Sequence, residues 1–197
     1  MKWAILVLAG VILASCNDKW GEIAPYSRFS EAPVELSVPS NAPFVGQQFL
    51  VGARPHLGID FWAERMTPVM AAAPGTVTRA LFDPAYGRRV AIDHGMDAEG
   101  QAVLTQYFHL AEIDVEVGDR VKRGQRIGAI GASGALAGFS HLHFEVLAGS
   151  TARRAVAKDP HLFWVDGKGK LTCFDPKSRY RGQDARMTIP VACKDNL

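Results

Sequence analysis

From about residue 44 onward, apolar and polar residues alternate in short runs punctuated by glycine. Strand candidates fall at 76–81, 89–94, 102–110, 126–130 and 141–147, each bounded by a turn signal such as Pro74-Gly75, Gly95, Glu99-Gly100 or Gly124. Valine, isoleucine and threonine recur, and no long stretch carries the 3.6-residue period of an amphipathic helix. The pattern predicts a mainly β domain with antiparallel strands, short loops and few helices. The run with the most chemistry is Ser140-His141-Leu142-His143-Phe144-Glu145-Val146. With a period of two, His141 and His143 share one face while Leu142, Phe144 and Val146 share the other, so two imidazoles stand over an apolar surface that can enter a core.

Outside that region the patterning fades. Residues 17–43 are rich in proline, serine and alanine without a sustained period, and residues before proline, as in Glu31-Ala32-Pro33-Val34, favour extended backbone. Residues 16–43 therefore read as an extended tether, with Trp20 and Phe29 available to dock on the domain that spans 44–165. Beyond Asp166-Gly167, residues 166–197 form a charged C-terminal extension that could add a hairpin and in which no chemistry is evident. At the other end, Lys2 precedes an apolar run over 4–14, far shorter than the ~20 residues a membrane-spanning helix needs. Residues 1–15 thus read as an export signal. Its end, Leu13-Ala14-Ser15-Cys16, resembles a bacterial lipobox, which implies lipidation of Cys16 and anchoring to an envelope membrane. Cys173 and Cys193 remain as an even pair in an oxidising compartment and are expected to form a disulfide.

The chain has 197 residues, enough for one domain with extensions, and a formal net charge of +2 that includes Lys2 of the signal. This balance offers no electrostatic case for nucleic acid binding. The basic clusters Arg120, Lys122, Arg123, Arg126 and Lys177, Arg179, Arg181 read as solvated faces, with attraction to an anionic polymer as the other reading.

A second polar pair lies upstream in His56-Leu57-Gly58-Ile59-Asp60, where glycine suits a bent loop entering a strand. Imidazole nitrogen and carboxylate oxygen both bind zinc at ~2.0–2.2 Å. His56, Asp60 and one histidine of the later pair would supply two nitrogens and one oxygen and leave a fourth position open, the arrangement of catalytic rather than structural zinc. His109, in Thr105-Gln106-Tyr107-Phe108-His109-Leu110, lies on a strand that could neighbour the one carrying His141. Alternation puts Thr105, Tyr107 and His109 on one face and Gln106, Phe108 and Leu110 on the other.

These blocks, together with Ala73-Pro74-Gly75-Thr76-Val77, Val90-Ala91-Ile92-Asp93-His94-Gly95, Val117-Gly118-Asp119 and Gly131-Ala132-Ser133-Gly134, occur in the order familiar from the lysostaphin-type (LytM-like) zinc metallo-endopeptidases of bacterial cell walls. The resemblance runs from about Val51 to Val165. It implies the duplicated-hybrid-motif type of β fold, one zinc per chain held by His56, Asp60 and His143, and a catalytic pair His109 and His141. It further implies an enzyme, acting as a monomer, that hydrolyses peptide cross-links of peptidoglycan stem peptides as a D,D-endopeptidase, lipid-anchored and facing the periplasm. The alternative within the resemblance is a non-catalytic envelope module that regulates a cell-wall amidase, the habit of members with broken motifs. The chain departs from the commoner pattern at 61–65, 82–88 and 96–101, around the expected groove. His94 reads as structural or supporting, His161 as a surface or packing residue, Tyr107 as groove-lining or packed, and Glu145 as exposed or orienting an imidazole.

Overall fold

The computed structural model describes residues 34–50, 55–180 and 185–194. The signal, Cys16, Trp20, Phe29 and Arg181 lie outside the described residues.

Among the described residues eleven strands follow in chain order: β1 (Phe44–Val45), β2 (Ile59–Trp62), β3 (Pro68–Met70), β4 (Gly75–Asp83), β5 (Gly87–Met96), β6 (Ala102–Leu110), β7 (Glu112–Ile113), β8 (Arg120–Val121), β9 (Arg126–Ala129), β10 (Leu142–Gly149) and β11 (Val156–Lys158). The large sheet runs β1-β2-β10-β6-β5-β4-β8, with β11 also paired to β10, and a second sheet runs β3-β9-β7. Every pairing in both sheets is antiparallel. The only helical elements among the described residues are two single 3-10 turns, Ala152–Arg154 and Pro160–Leu162.

The alternation expected for β10 is realised. Leu142, Phe144 and Val146 are fully buried in a core shared with Ile59 of β2, Val69 of β3, Ile92 of β5 and Ile127 of β9. Each such side chain contributes roughly 1.5–3 kcal/mol by leaving water. The inward face of β10 therefore fixes its register, and a slip of one residue would turn the histidines into the apolar core and the core side chains onto the site face. The strand lies between β2 and β6, with His143 opposite Asp60 on one side and Phe108 on the other.

The core also holds a polar chain. His94 Nδ1 donates to the Pro74 carbonyl (2.8 Å), and its Nε2 accepts from Thr105 Oγ1 (2.8 Å). The Thr105 hydroxyl lies 3.0 Å from the Tyr107 hydroxyl, which accepts from the Ala72 amide (2.9 Å). With His94 neutral and its Nδ1–H on Pro74, every member of the chain has a partner. Burial drives its pKa down to about 4 against the help of the Pro74 carbonyl. The sign follows: an unfolded His94 takes up a proton near pH ~6.5 and the folded one does not, so stability is full above that value and falls as pH drops toward ~4, by roughly 3 kcal/mol in all. Urea unfolding at about pH 7.5 and about pH 5 should show this loss in the wild type and a clearly smaller one in His94→Gln.

The C-terminal extension forms no hairpin among its described residues. It lacks a sustained period of two and instead docks through the isolated bridges Val69↔Val191 and Trp164↔Met187, burying Leu171, Met187, Ile189 and Val191. Residues 34–43, the described end of the expected tether, lie against this extension: Ser37 N donates to Gly169 O (2.9 Å), Leu171 N to Ser37 O (3.0 Å) and Lys194 N to Asn41 O (2.9 Å). Cys173 and Cys193 are joined, with Cα atoms 6.1 Å apart. The pair closes a loop across a sequence separation of 20, so Cys173→Ser with Cys193→Ser should lower unfolding stability by about 3 kcal/mol, read as a reduced urea midpoint. One basic cluster departs from a solvated face. Arg123 is buried, donates to the carbonyls of Ala72 (2.7 Å) and Arg186 (2.8 Å), and lies over the Tyr180 ring.

Candidate metal centre

The site is built on β2 and β10 where they run side by side. Gly58 permits the approach: a Cβ there would stand 2.3 Å from the Phe144 carbonyl oxygen and 3.0 Å from the His143 ring. His56 Nε2 is 3.1 Å and His143 Nδ1 2.9 Å from the same atom, Asp60 Oδ1. Among the described residues, His56, Asp60 and His143 are a group of side chains of metal-ligating type whose donor atoms all lie within 4.8 Å of one another.

The outer nitrogens decide what the inner ones are. His56 Nδ1 lies 2.8 Å from the Gln48 carbonyl, which can only accept, so that nitrogen carries its proton and Nε2 turns a lone pair toward Asp60. His143 Nε2 lies 3.2 Å from Glu145 Oε1, whose other oxygen accepts from Gln106 Nε2 (3.2 Å). Both inner contacts thus set an acceptor nitrogen against a carboxylate oxygen, which only a proton or a metal cation between them reconciles. For His143, burial opposes the charge, yet the hydrogen bonds to Asp60 and Glu145 outweigh it and raise the pKa to about 9. For Asp60, burial raises the pKa, but with protons in these two contacts the imidazoles of His143 and His56 hold it well below the usual carboxylate range. The donor set, its anionic oxygen and its acceptor-bound outer nitrogens fit a borderline-soft dication such as zinc.

His109 and His141 flank this cluster, their ring centroids 4.8 Å apart, with His109 6.3 Å from His143. His141 Nε2 lies 3.9 Å from Asp60 Oδ1. Each donates its Nδ1 proton outward, His141 to the Phe139 carbonyl (2.9 Å) and His109 to the Ser133 carbonyl (3.0 Å), so each keeps Nε2 as an acceptor. Burial lowers the His109 pKa, so the ring is neutral at neutral pH and able to take a proton.

His109 reaches this face against the alternation. Thr105 and Tyr107 point into the core, and Gln106 and Phe108 share the face of Glu145 and His143. A regular strand would therefore send His109 inward with Tyr107. Instead β6 carries a bulge: Val90 and Arg88 of β5 pair with Tyr107 and Leu110, two steps against three. His109 adopts φ +62°, a left-handed conformation uncommon for a side chain with a Cβ, and its ring swings to the metal side. The bulge is pinned by the His109 amide donating to Tyr86 O (3.1 Å). Ser133 completes the support, its hydroxyl donating to Leu110 O (2.6 Å) and accepting from the Arg88 amide (2.9 Å). Gly87, at φ +73°, leaves the room: a Cβ there would lie 2.2 Å from the Ser133 carbonyl oxygen.

The structure thus brings His56, Asp60, His109, His141 and His143 together. Tyr107 is fully buried and does not line the groove, because the bulge falls after it. Glu145 bonds His143, and His161 is buried rather than on the surface. Gln48, Ser133 and Phe139 act through main-chain carbonyls, which no residue type announces. On the rim, Phe44, Trp62 and Phe139 form an exposed aromatic row with centroids 5.4 and 4.9 Å apart, ending 5.0 Å from the His141 ring.

Comparison with known proteins gives the family. The chain is 40% identical over 93 residues to the peptidoglycan DD-endopeptidase ShyA of Vibrio cholerae, covering 47% of this chain and 20% of that protein. It is 38% identical over 109 residues to the glycyl-glycine endopeptidase ALE-1 of Staphylococcus capitis, covering 55% of this chain and 28% of that one. It therefore spans about a fifth to a quarter of the length of these curated relatives. A zinc-containing peptidase from Vibrio cholerae has a crystal structure that matches with a TM-score of 0.51 at 32% identity, over 64% of this chain and 39% of that chain. Residues 54–160, more than half of the chain and all five of the converging side chains, match Peptidase family M23, and the chain belongs to that family.

Proposed function

We propose that the chain is a zinc-dependent endopeptidase that hydrolyses peptide cross-links of bacterial peptidoglycan. The observation that carries this reading is the convergence of two imidazole nitrogens and one carboxylate oxygen beside two further imidazoles that keep an acceptor nitrogen free. His56 through Nε2, Asp60 through Oδ1 and His143 through Nδ1 would hold one zinc ion. Bound there, zinc supplies Lewis-acid polarisation of a peptide carbonyl and a lowered pKa for water. His109 and His141 act at Nε2, one accepting a proton from the attacking water and the other donating a hydrogen bond to the developing oxyanion or a proton to the leaving amine. Whichever ring takes the second role must carry a proton at Nε2 taken up from solvent before the water attacks, since in both rings the Nδ1 proton is committed to a main-chain carbonyl. Glu145 keeps the ring of His143 oriented.

The DD-endopeptidase among the relatives favours the direct D-alanyl to diaminopimelate cross-link over a glycine bridge as the bond cut. Mass spectrometry of fragments released from purified sacculi tests the reading: muropeptide dimers should fall and monomers rise, and an unchanged dimer fraction with zinc-loaded protein would refute it. The lipobox motif supports attachment of the chain to an envelope membrane at Cys16. Cys16→Ser should leave an unprocessed or soluble form on membrane fractionation, and membrane-bound protein of mature size would show that the motif is misread.

A further inference from the structure

The ring of His56 is held by a chain of hydrogen bonds that lies outside the family core. Residues 44–50 run beside 56–62 as a strap. Gly46 N donates to Asp60 O (2.8 Å), Asp60 N to Gln47 O (2.9 Å), and Leu50 and His56 exchange amide bonds in both directions (2.9 Å each). Between these, the Gln48 carbonyl takes the Nδ1 proton of His56. The Gln48 side chain is itself tied from the far end of the sequence: its Oε1 lies 2.7 Å from His161 Nε2. Indole N–H is a donor only, and Trp164 Nε1 sits 3.0 Å from His161 Nδ1. His161 must therefore accept at Nδ1 and donate from Nε2. The chain runs in one sense, Trp164 N–H to His161 to the Gln48 amide oxygen. Both Trp164 and His161 are buried, so their geometry is not free to relax into solvent.

We propose that Gln48, fixed by His161 and Trp164, is a positioning residue for the metal ligand His56: it selects the Nδ1–H tautomer and presents Nε2 to the metal. The matched family region ends at residue 160 and begins at 54, so segments on both sides of it close over the site. The inference rests on the reading of His56 as a zinc ligand. A free imidazole would divide its proton between two nitrogens and rotate about its side-chain bonds, and it would pay for both on binding metal. The strap removes that cost in advance, which is how outer partners of metal-bound histidines act.

The test uses the full chain and zinc alone as the probe. Zinc affinity is measured by competition with a chromophoric chelator, and the tautomer of His56 by nitrogen-15 NMR of the metal-free protein. Gln48→Ala removes an exposed side chain but also the acceptor of His161 Nε2. It should weaken zinc binding about 10-fold or more and mix the two His56 tautomers, while the thermal midpoint of the metal-free chain falls only modestly; the tautomer readout separates positioning from this loss of stability. Gln48→Glu keeps an acceptor for His161 and should restore both readouts. His161→Phe should match Gln48→Ala in affinity, and the double variant should lose no more than either alone, because both break the same link. Wild-type zinc affinity in Gln48→Ala, with the Nδ1–H tautomer intact, would overturn the proposal and leave the metal site standing. A wild-type chain that takes up no zinc would overturn both.

Discussion

His143→Ala is expected to bind no zinc after loading and dialysis and to lose nearly all hydrolysis of sacculi. The residue sits at the junction of β2, β10 and β6, with Nδ1 2.9 Å from Asp60. Its removal leaves one nitrogen and one oxygen, too few for the proposed site, which has only three protein ligands. His56→Ala and Asp60→Ala should behave alike, with Asp60→Ala the most severe, because Oδ1 is the atom to which both imidazoles turn. Zinc by mass spectrometry and hydrolysis on the same preparations check the coupling. Full zinc in His143→Ala would remove that residue from the ligand set, and if His141→Ala lost its zinc instead, the two histidines would exchange roles.

His109→Ala and His141→Ala are expected to part the two readouts. Both should keep about one zinc per chain while hydrolysis falls by ~10²-fold or more, the usual effect of deleting a group that moves a proton in the transition state. The reason is geometric. Each ring spends its Nδ1 proton on a main-chain carbonyl, Ser133 or Phe139, and neither belongs to the group of donors within 4.8 Å of one another. His109→Asn is the cleaner variant of its pair, since asparagine tolerates the left-handed backbone at that position and isolates the loss of the imidazole from backbone strain. Full activity in both alanine variants would end the acid–base assignment.

The two pairs of predictions draw unequally on what could be read from residue order. The β10 face was legible because the period of two survives there: three apolar side chains go in, and His143 and Glu145 go out. The His56–Asp60 pair was legible because both donors ride on one short loop entering β2. His109 was legible as a residue but not as a direction. Alternation assigns it the face of Tyr107, and only the bulge, with its three steps against two, reverses it. Nothing in Phe108-His109-Leu110 marks that break, since the cause lies in Tyr86 and Ser133, which grip the strand from elsewhere. Gln48 and Phe139 were invisible for a different reason. They serve through carbonyls, which every residue owns. His161 and Arg123 look like surface residues by type and are buried because each of their polar atoms meets a partner contributed by a distant segment.

The place of β10 in the sheet bears on how the molecule comes into being. It is a central strand, inserted between β2 and β6, yet it is nearly the last strand in the chain, and His143 meets Asp60 across 83 residues. A chain emerging from its N-terminus offers His56 and Asp60 early, to nothing. Closing so long a loop is slow and costs entropy before any contact rewards it. Assembly of the three proposed ligands is therefore a late event that follows insertion of the final central strand, and a fragment ending before β10 lacks one of them. The proposed reactivity is available only once the fold is nearly complete.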